Sequence, residues 1–455
     1  MPQPPAHRSR GFASEWEPLR SHSALQLVES RISGPFNFLN PTRAHFKHVQ
    51  SKDEDDGSND EVENKDAGRE MAQPSNKQAP AAQVEYRWTS RNNRKGRHQL
   101  VTTPAKDLSE AKYLVPEKTS SPRIVLRTIG KMLTHYPYWD ISWLVAFIFT
   151  WGSIIWVINA FFVWLPLEKP STEFKNEVLT GGGITAFIGA TVFELGSIFL
   201  MLEAVNENHE GCFGWAVKEV IDGRRKILDL RPGRDTCTHH HPNRKNLFGK
   251  GYTNNHMRSS DEENSVPTMA NKRSWTWWPS WNDLKTHYFH ELGFLACSAQ
   301  MFGATIFWIS GFTALPGILN HLSPGLENGI YWTPQVIGGS GFIVSGTLFM
   351  IETQKKWYMP ALDTLGWHIG FWNLIGGVGF TLCPAFGYDT RSWAQYQASL
   401  STFWGSWAFL IGSLIQLYES LQKYPVEVVK NFNGGPSDLR LQADQDQGGE
   451  KQAAT

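Results

Sequence analysis

Cysteine is scarce in this chain: four residues among 455, too few and too scattered for a disulfide framework. Cys297 and Cys383 sit in apolar stretches and Cys212 and Cys237 in polar sequence, so all four are expected to be reduced. An excess of either charge is also missing, with 43 basic against 43 acidic side chains, which excludes a dedicated nucleic-acid binder with a basic footprint. No apolar core of signal-peptide type opens the chain, and neither end carries a lipidation motif, so the first spanning helix is expected to act as the targeting signal. No apolar stretch contains a lysine for a retinal Schiff base. Only His368 lies clearly inside one, with His290 at an edge, which gives no pair of haem ligands. A phosphate-binding loop, a zincin helix and a Gly-x-Ser-x-Gly elbow are absent too, so the sequence implies no enzyme and no cofactor.

What the chain does have is Trp, Phe and long hydrophobic runs. The mean hydropathy of −0.35 blends two populations, polar sequence at 1–140 and 205–288 and mostly apolar sequence elsewhere. Roughly 20 helical residues cross a bilayer. Six stretches meet that length, near 142–165, 179–204, 291–314, 332–352, 365–386 and 398–419. Lys and Arg collect before the first span, between the second and third, between the fourth and fifth, and after the sixth. The opposite loops are poor in them, so both termini and the long central loop are expected in the cytosol.

A phrase recurs inside the spans: Gly, three residues, an aromatic, two residues, two small residues, five residues, Glu. Its full copies are Gly189, Phe193, Gly196, Ser197, Glu203; Gly338, Phe342, Ser345, Gly346, Glu352; and Gly405, Phe409, Gly412, Ser413, Glu419. Copies without the Glu run Gly152, Trp156, Asn159, Ala160; Gly303, Phe307, Ser310, Gly311; and Gly376, Phe380, Cys383, Pro384. Offsets of four and seven or eight share one helix face, so Gly189, Gly303, Gly338, Gly376 and Gly405 are expected to be helix-packing positions. The arrangement implies three hairpins, at 142–204, 291–352 and 353–420, set as pseudo-repeats about one axis. Glu203, Glu352 and Glu419 would then emerge together at the cytosolic edge. There they either make ordinary contacts in the hydrated interface or form a cation-attracting ring.

Glu194 is the one acid well inside a span, expected to face the bundle interior toward Gln300, Asn159, His368 or Asn373. Cys237, His239, His240 and His241 are a candidate metal cluster in the central loop, weighed against a solvated loop. His287, His290 and Glu291 have offsets that suit a metal face on a helix, or could serve as interfacial polar groups. Trp275, Trp277, Trp278 and Trp281 are expected to anchor the interface. Residues 1–122 contain an acidic run from Asp53 to Glu63 followed by Gln/Ala/Pro-rich sequence, and are expected to be a disordered cytosolic region. Residues 123–141 contain an amphipathic juxtamembrane helix, 205–290 form the loop with the Cys/His cluster, and 421–455 are a cytosolic tail.

The stretches beginning at Thr286 (Thr-His-Tyr-Phe-His-Glu-Leu-Gly-Phe), Gly303, Gly366 (Gly-Trp-His-Ile-Gly-Phe-Trp) and Phe403 resemble a family of uncharacterised integral membrane proteins of filamentous ascomycete fungi, over about 123–430. The copies of Phe-x-x-Gly-Ser look like the two-span YrhK-type module. Neither resemblance implies a reaction or a substrate. The sequence therefore predicts an all-α, multi-pass membrane protein of six helices, in contact with lipid, with unidentified cytosolic partners and room for a homo-oligomer. The function expected is transport of a small solute or ion. The alternative is a non-catalytic scaffold recruiting partners through its cytosolic segments.

Overall fold

A computed structural model describes residues 25–27, 32–48, 84–97, 99–102, 121–207, 209–221 and 275–423. Six helical segments are long and apolar enough to cross a membrane: Ile141–Glu168, Glu177–Val205, Leu292–Thr313, Pro324–Glu352, Leu365–Gly387 and Ser392–Ser420. Their α-helical parts are α3 (Ile141–Glu168), α4 (Gly183–Val205), α7 (Leu292–Thr313), α9 (Thr333–Glu352), α10 (Leu365–Gly387) and α11 (Ser392–Ser420). The second and fourth open on π-helical turns, Glu177–Gly182 and Asn328–Trp332. Each helix packs on the next in sequence and α11 packs back on α3, so the six close into a ring. Shorter helices are α2 (Pro122–Thr134), α5 (Phe213–Ile221) and α6 (Trp281–Thr286), outside the six spans, and α8 (Pro324–Glu327), which begins the fourth span.

The recurring phrase fills the ring. Trp156, Phe193, Phe307, Phe342, Phe380 and Phe409, one from each spanning helix, form a single buried cluster on the axis. Their ring centroids stand 4.8 Å (Trp156–Phe380), 5.1 Å (Phe380–Phe409) and 5.7 Å (Phe307–Phe342) apart, in the range of favourable aromatic contact. The glycine four residues earlier accommodates the neighbour's aromatic. A methyl group at Gly152 would stand 2.6 Å from the Phe193 ring, and one at Gly189 would stand 2.9 Å from Trp156. The same exchange joins Gly303 to Phe342, Gly338 to Phe307, Gly376 to Phe409 and Gly405 to Phe380. All five glycines named from sequence as packing positions therefore sit at close helix contacts, and at four of them, all but Gly405, an added methyl would stand within 3.0 Å of the neighbouring helix.

The sequence led us to expect no folded structure before residue 122. Instead, the described residues contain a four-stranded antiparallel sheet, β1 (Leu25–Leu27), β2 (Arg43–His48), β3 (Val84–Thr89) and β4 (Gln99–Thr102), in that order. Polar composition hid it because these strands are short and their alternation is weak. The loop joining β3 to β4 carries one helical turn, α1 (Ser90–Arg94), capped by the Thr89 hydroxyl, which accepts from the Asn92 amide. Gly96, at φ 61°, then turns the chain through the left-handed region and lets Arg97 N–H reach the Asn92 carbonyl at 2.8 Å.

The Trp cluster divides. Trp278 and Trp281 are exposed, as an interfacial anchor would be, but Trp275 is buried against Phe213 of α5 at 5.5 Å between centroids. Helix α2 has the expected amphipathic form, with Leu126, Ile129 and Leu133 exposed along one side.

Candidate functional site

Glu203, Glu352 and Glu419 each lie ten residues beyond an axial aromatic, which places them about 15 Å farther along the bundle at 1.5 Å per residue. They come from alternate helices of the ring and converge on its mouth. All three are buried, at 0%, 2% and 1% exposure, so the hydrated-edge reading is overturned. Depth in lipid did not decide their environment. A second layer of protein did.

That layer is the tip of the β3–β4 loop. The Ser90 hydroxyl donates to Glu352 Oε1 at 2.9 Å, and Arg94 grips both oxygens of the same carboxylate at 2.8 Å. Arg91 Nη2 donates to Glu419 Oε2 at 2.7 Å and Arg97 Nη1 to Glu419 Oε1 at 2.7 Å. Lys95 Nζ stands 3.1 Å from Glu203 Oε1. Paired, fork-on-carboxylate geometry of this kind is the strongest form of the interaction. Burial alone would lower the Arg94 pKa, but Glu352 overrides it and holds the guanidinium well above its ordinary value. For Lys95 burial prevails over Glu203, and the ammonium is pushed below its ordinary value.

The helix ends are cut to admit these side chains. Gly293 and Gly366 are the second residues of α7 and α10. A methyl group at Gly293 would lie 1.7 Å from Arg94 Nη1, and one at Gly366 would lie 2.4 Å from Arg91 Nε. The domain is also fastened by backbone. Asn40 N–H donates to the His290 carbonyl at 2.7 Å, and the Arg43 guanidinium donates to the Thr353 carbonyl.

Between this tip and the aromatic layer lies a cavity of about 30 Å³, lined in part by Ser153, Gln300, Asn373, Ser413 and Gln416. It is small beside the several hundred Å³ of ordinary small-molecule pockets. Its walls are mixed, with Phe149, Leu200, Phe349 and Ile369 beside these polar groups, and it has room for water.

The polar-core candidates scatter. Gln300 and Asn373 reach this cavity. Asn159 does not: it faces the far side of the aromatic layer, donating to the Gly182 carbonyl at 2.6 Å. His368 is outside as well, with Nε2 2.9 Å from the Leu362 carbonyl. Glu194, expected to face the interior, lies instead at the outer seam of α4 and α7, where the exposed Thr305 hydroxyl donates to it at 3.0 Å. Its helix is rotated so that Phe193 takes the axial position, and the following residue must then point away. The cluster Cys237, His239, His240 and His241 falls outside the described residues.

Sequence reasoning missed Arg91, Arg94, Lys95 and Arg97. Two signals pointed to them. Ser90–Arg97 holds four cations and no acid in eight residues, within a region otherwise rich in acids. Three acids ending three spans also need counter-charges if they converge away from water.

The structure thus defines a class: a multi-pass membrane protein, judged from six helices of spanning length and composition, with a folded N-terminal domain seated on one end. No family model, curated protein or solved structure matches the chain.

Proposed function

We propose that this protein is a non-conducting membrane scaffold, whose six-helix bundle holds its own N-terminal domain against the cytosolic face of the membrane. The observation that carries this reading is the axial cluster of six aromatic side chains, backed by glycines, which leaves no polar route along the ring. The mouth supports it further, because the three carboxylates are neutralised by the chain's own cations. The excess of Lys and Arg at this end supports a cytosolic mouth through the positive-inside rule. On this reading the three hairpins are copies of one two-span unit, of the kind the YrhK-type resemblance suggests, in a protein similar to the fungal membrane family.

A transport reading draws on the polar cavity behind the mouth and on the convergence of Glu203, Glu352 and Glu419. It requires both the basic tip and the aromatic layer to move aside. Proteoliposomes loaded with purified protein separate the two: scaffolding predicts proton and alkali-cation flux no greater than that of empty vesicles. Flux through the unmodified protein would overturn the scaffold and make the basic tip a gate.

A further inference from the structure

Beside the mouth, three side chains from two separate segments meet. Glu207 follows α4, and His287 and Glu291 flank the 3₁₀ turn Tyr288–His290 that leads into α7. His287 Nε2 stands 3.6 Å from Glu207 Oε1 and 3.7 Å from Glu291 Oε2, and the three ligand atoms all lie within 4.8 Å of one another. Both carboxylate side chains are at least nine-tenths withdrawn from solvent, at 10% and 7% exposure. Glu207 Oε1 and Glu291 Oε2 face His287 Nε2 from beyond the length of an ordinary hydrogen bond. Buried carboxylate oxygens without a donor are costly, and a cation is what such a group of three would hold.

We propose that Glu207, His287 and Glu291 bind a divalent first-row transition ion, with zinc the best match. Ligand atoms at 2.0–2.2 Å from a tetrahedral ion lie about 3.4 Å apart, so the observed separations to His287 need close by only a few tenths of an ångström. One imidazole and two carboxylates leave a fourth position for water. The site is built as metal sites are, with outer partners fixing the ligands. Asn93 Nδ2 donates to Glu207 Oε2 at 3.0 Å, and Asn40 Nδ2 donates to the His287 backbone carbonyl at 3.3 Å. The two segments are already tied, since the Tyr288 hydroxyl donates to the Val205 carbonyl at 2.9 Å and Asn206 bonds the backbone of Thr276. Asn40 and Asn93 belong to the N-terminal domain. An ion here would therefore clasp the domain to the loops at the ends of α4 and α7, a role independent of whether the bundle conducts.

The test uses full-length protein in detergent, stripped with chelator and titrated with zinc. It is run in a Cys237→Ser/His239→Ala/His240→Ala/His241→Ala background, so that the central loop cannot contribute. One zinc per chain is expected to bind, and cobalt(II) is expected to give the absorption of a four-coordinate N/O site. Glu291→Gln keeps the size of the side chain and should weaken zinc by more than about 100-fold, beyond the 10–100-fold usual for an outer partner. Glu207→Gln is the second variant should the first melt early without metal. Zinc should raise the melting temperature of the background protein and leave that of Glu291→Gln unchanged. No bound zinc in the background protein, or zinc affinity in both Gln variants equal to that of the background protein, would overturn the site and leave a proton shared between the two carboxylates as its content.

Discussion

Arg94 and Glu352 meet through two 2.8 Å hydrogen bonds with both side chains withdrawn from water, so each is the other's main source of solvation, with the Ser90 hydroxyl adding a third bond to the carboxylate. Removing one partner strands a buried charge and costs about 3–5 kcal/mol. Arg94→Ala or Glu352→Ala should each show that loss in thermal unfolding. The double variant should lose clearly less than the sum, a coupling that a double-mutant cycle reads directly. Gly293→Ala should reproduce Arg94→Ala, because its methyl would take the place of the guanidinium nitrogen. Gly325→Ala, whose methyl would meet nothing within 4 Å, should leave stability within about 0.5 kcal/mol. The Glu207–Glu291 pair has its own asymmetry. Burial would raise both, but contacts with His287 and Glu291 hold Glu207 at about 2, while burial and the adjacent Glu207 hold Glu291 well above its usual range.

At the scale of elements, the spanning helices carry two layers of information at fixed spacing, an aromatic and, on alternate helices, an acid ten residues on. Phe380 touches the rings of Trp156, Phe307 and Phe409, so Phe380→Ala should cost about 3–5 kcal/mol through the cavity it leaves. Phe380→Leu should recover much of that loss, measured by the same unfolding transition. These layers were legible in the sequence because hydrophobic length and Gly-x-x-x-aromatic spacing are local properties. Span limits agree to within a few residues, apart from the fourth and sixth, where 324–331 and 392–397 extend the helix with mixed sequence, including Glu327, Asn328, Gln395 and Gln397, that a hydropathy reading stops at. Glu194 was misread for a related reason. Its depth was plain, but the rotation of α4 is set by Phe193 and the partners of Phe193, which are contacts between segments distant in sequence.

At the scale of the whole molecule, the mouth joins residues 108 to 328 positions apart, as in Lys95 with Glu203 and Arg91 with Glu419. Pairings over that distance leave no periodic trace, which is why the seated domain was invisible while the spans were plain. Seating by buried ion pairs also has a salt signature. A protease site introduced between residues 102 and 122 should, after cleavage, leave the N-terminal fragment bound to the bundle at about 0.15 M salt. It should remain bound near 1 M, where exposed pairs are screened within about 3 Å. Release of the fragment at the lower salt, seen by gel filtration, would show that the contacts do not hold the domain in solution.

The basic tip is made early in synthesis, and its acids come late. Domains form as the chain emerges, N-terminal part first. Arg91 and Arg97 therefore wait for Glu419, in the last turn of α11, while Lys95 can be matched as soon as α4 is placed. A chain cut short before residue 419 would keep two cations with no carboxylate to receive them and a domain that cannot seat fully. Closure of the mouth therefore depends on the last turn of the last spanning helix, and the seat of a domain made first is completed only by residues made near the end.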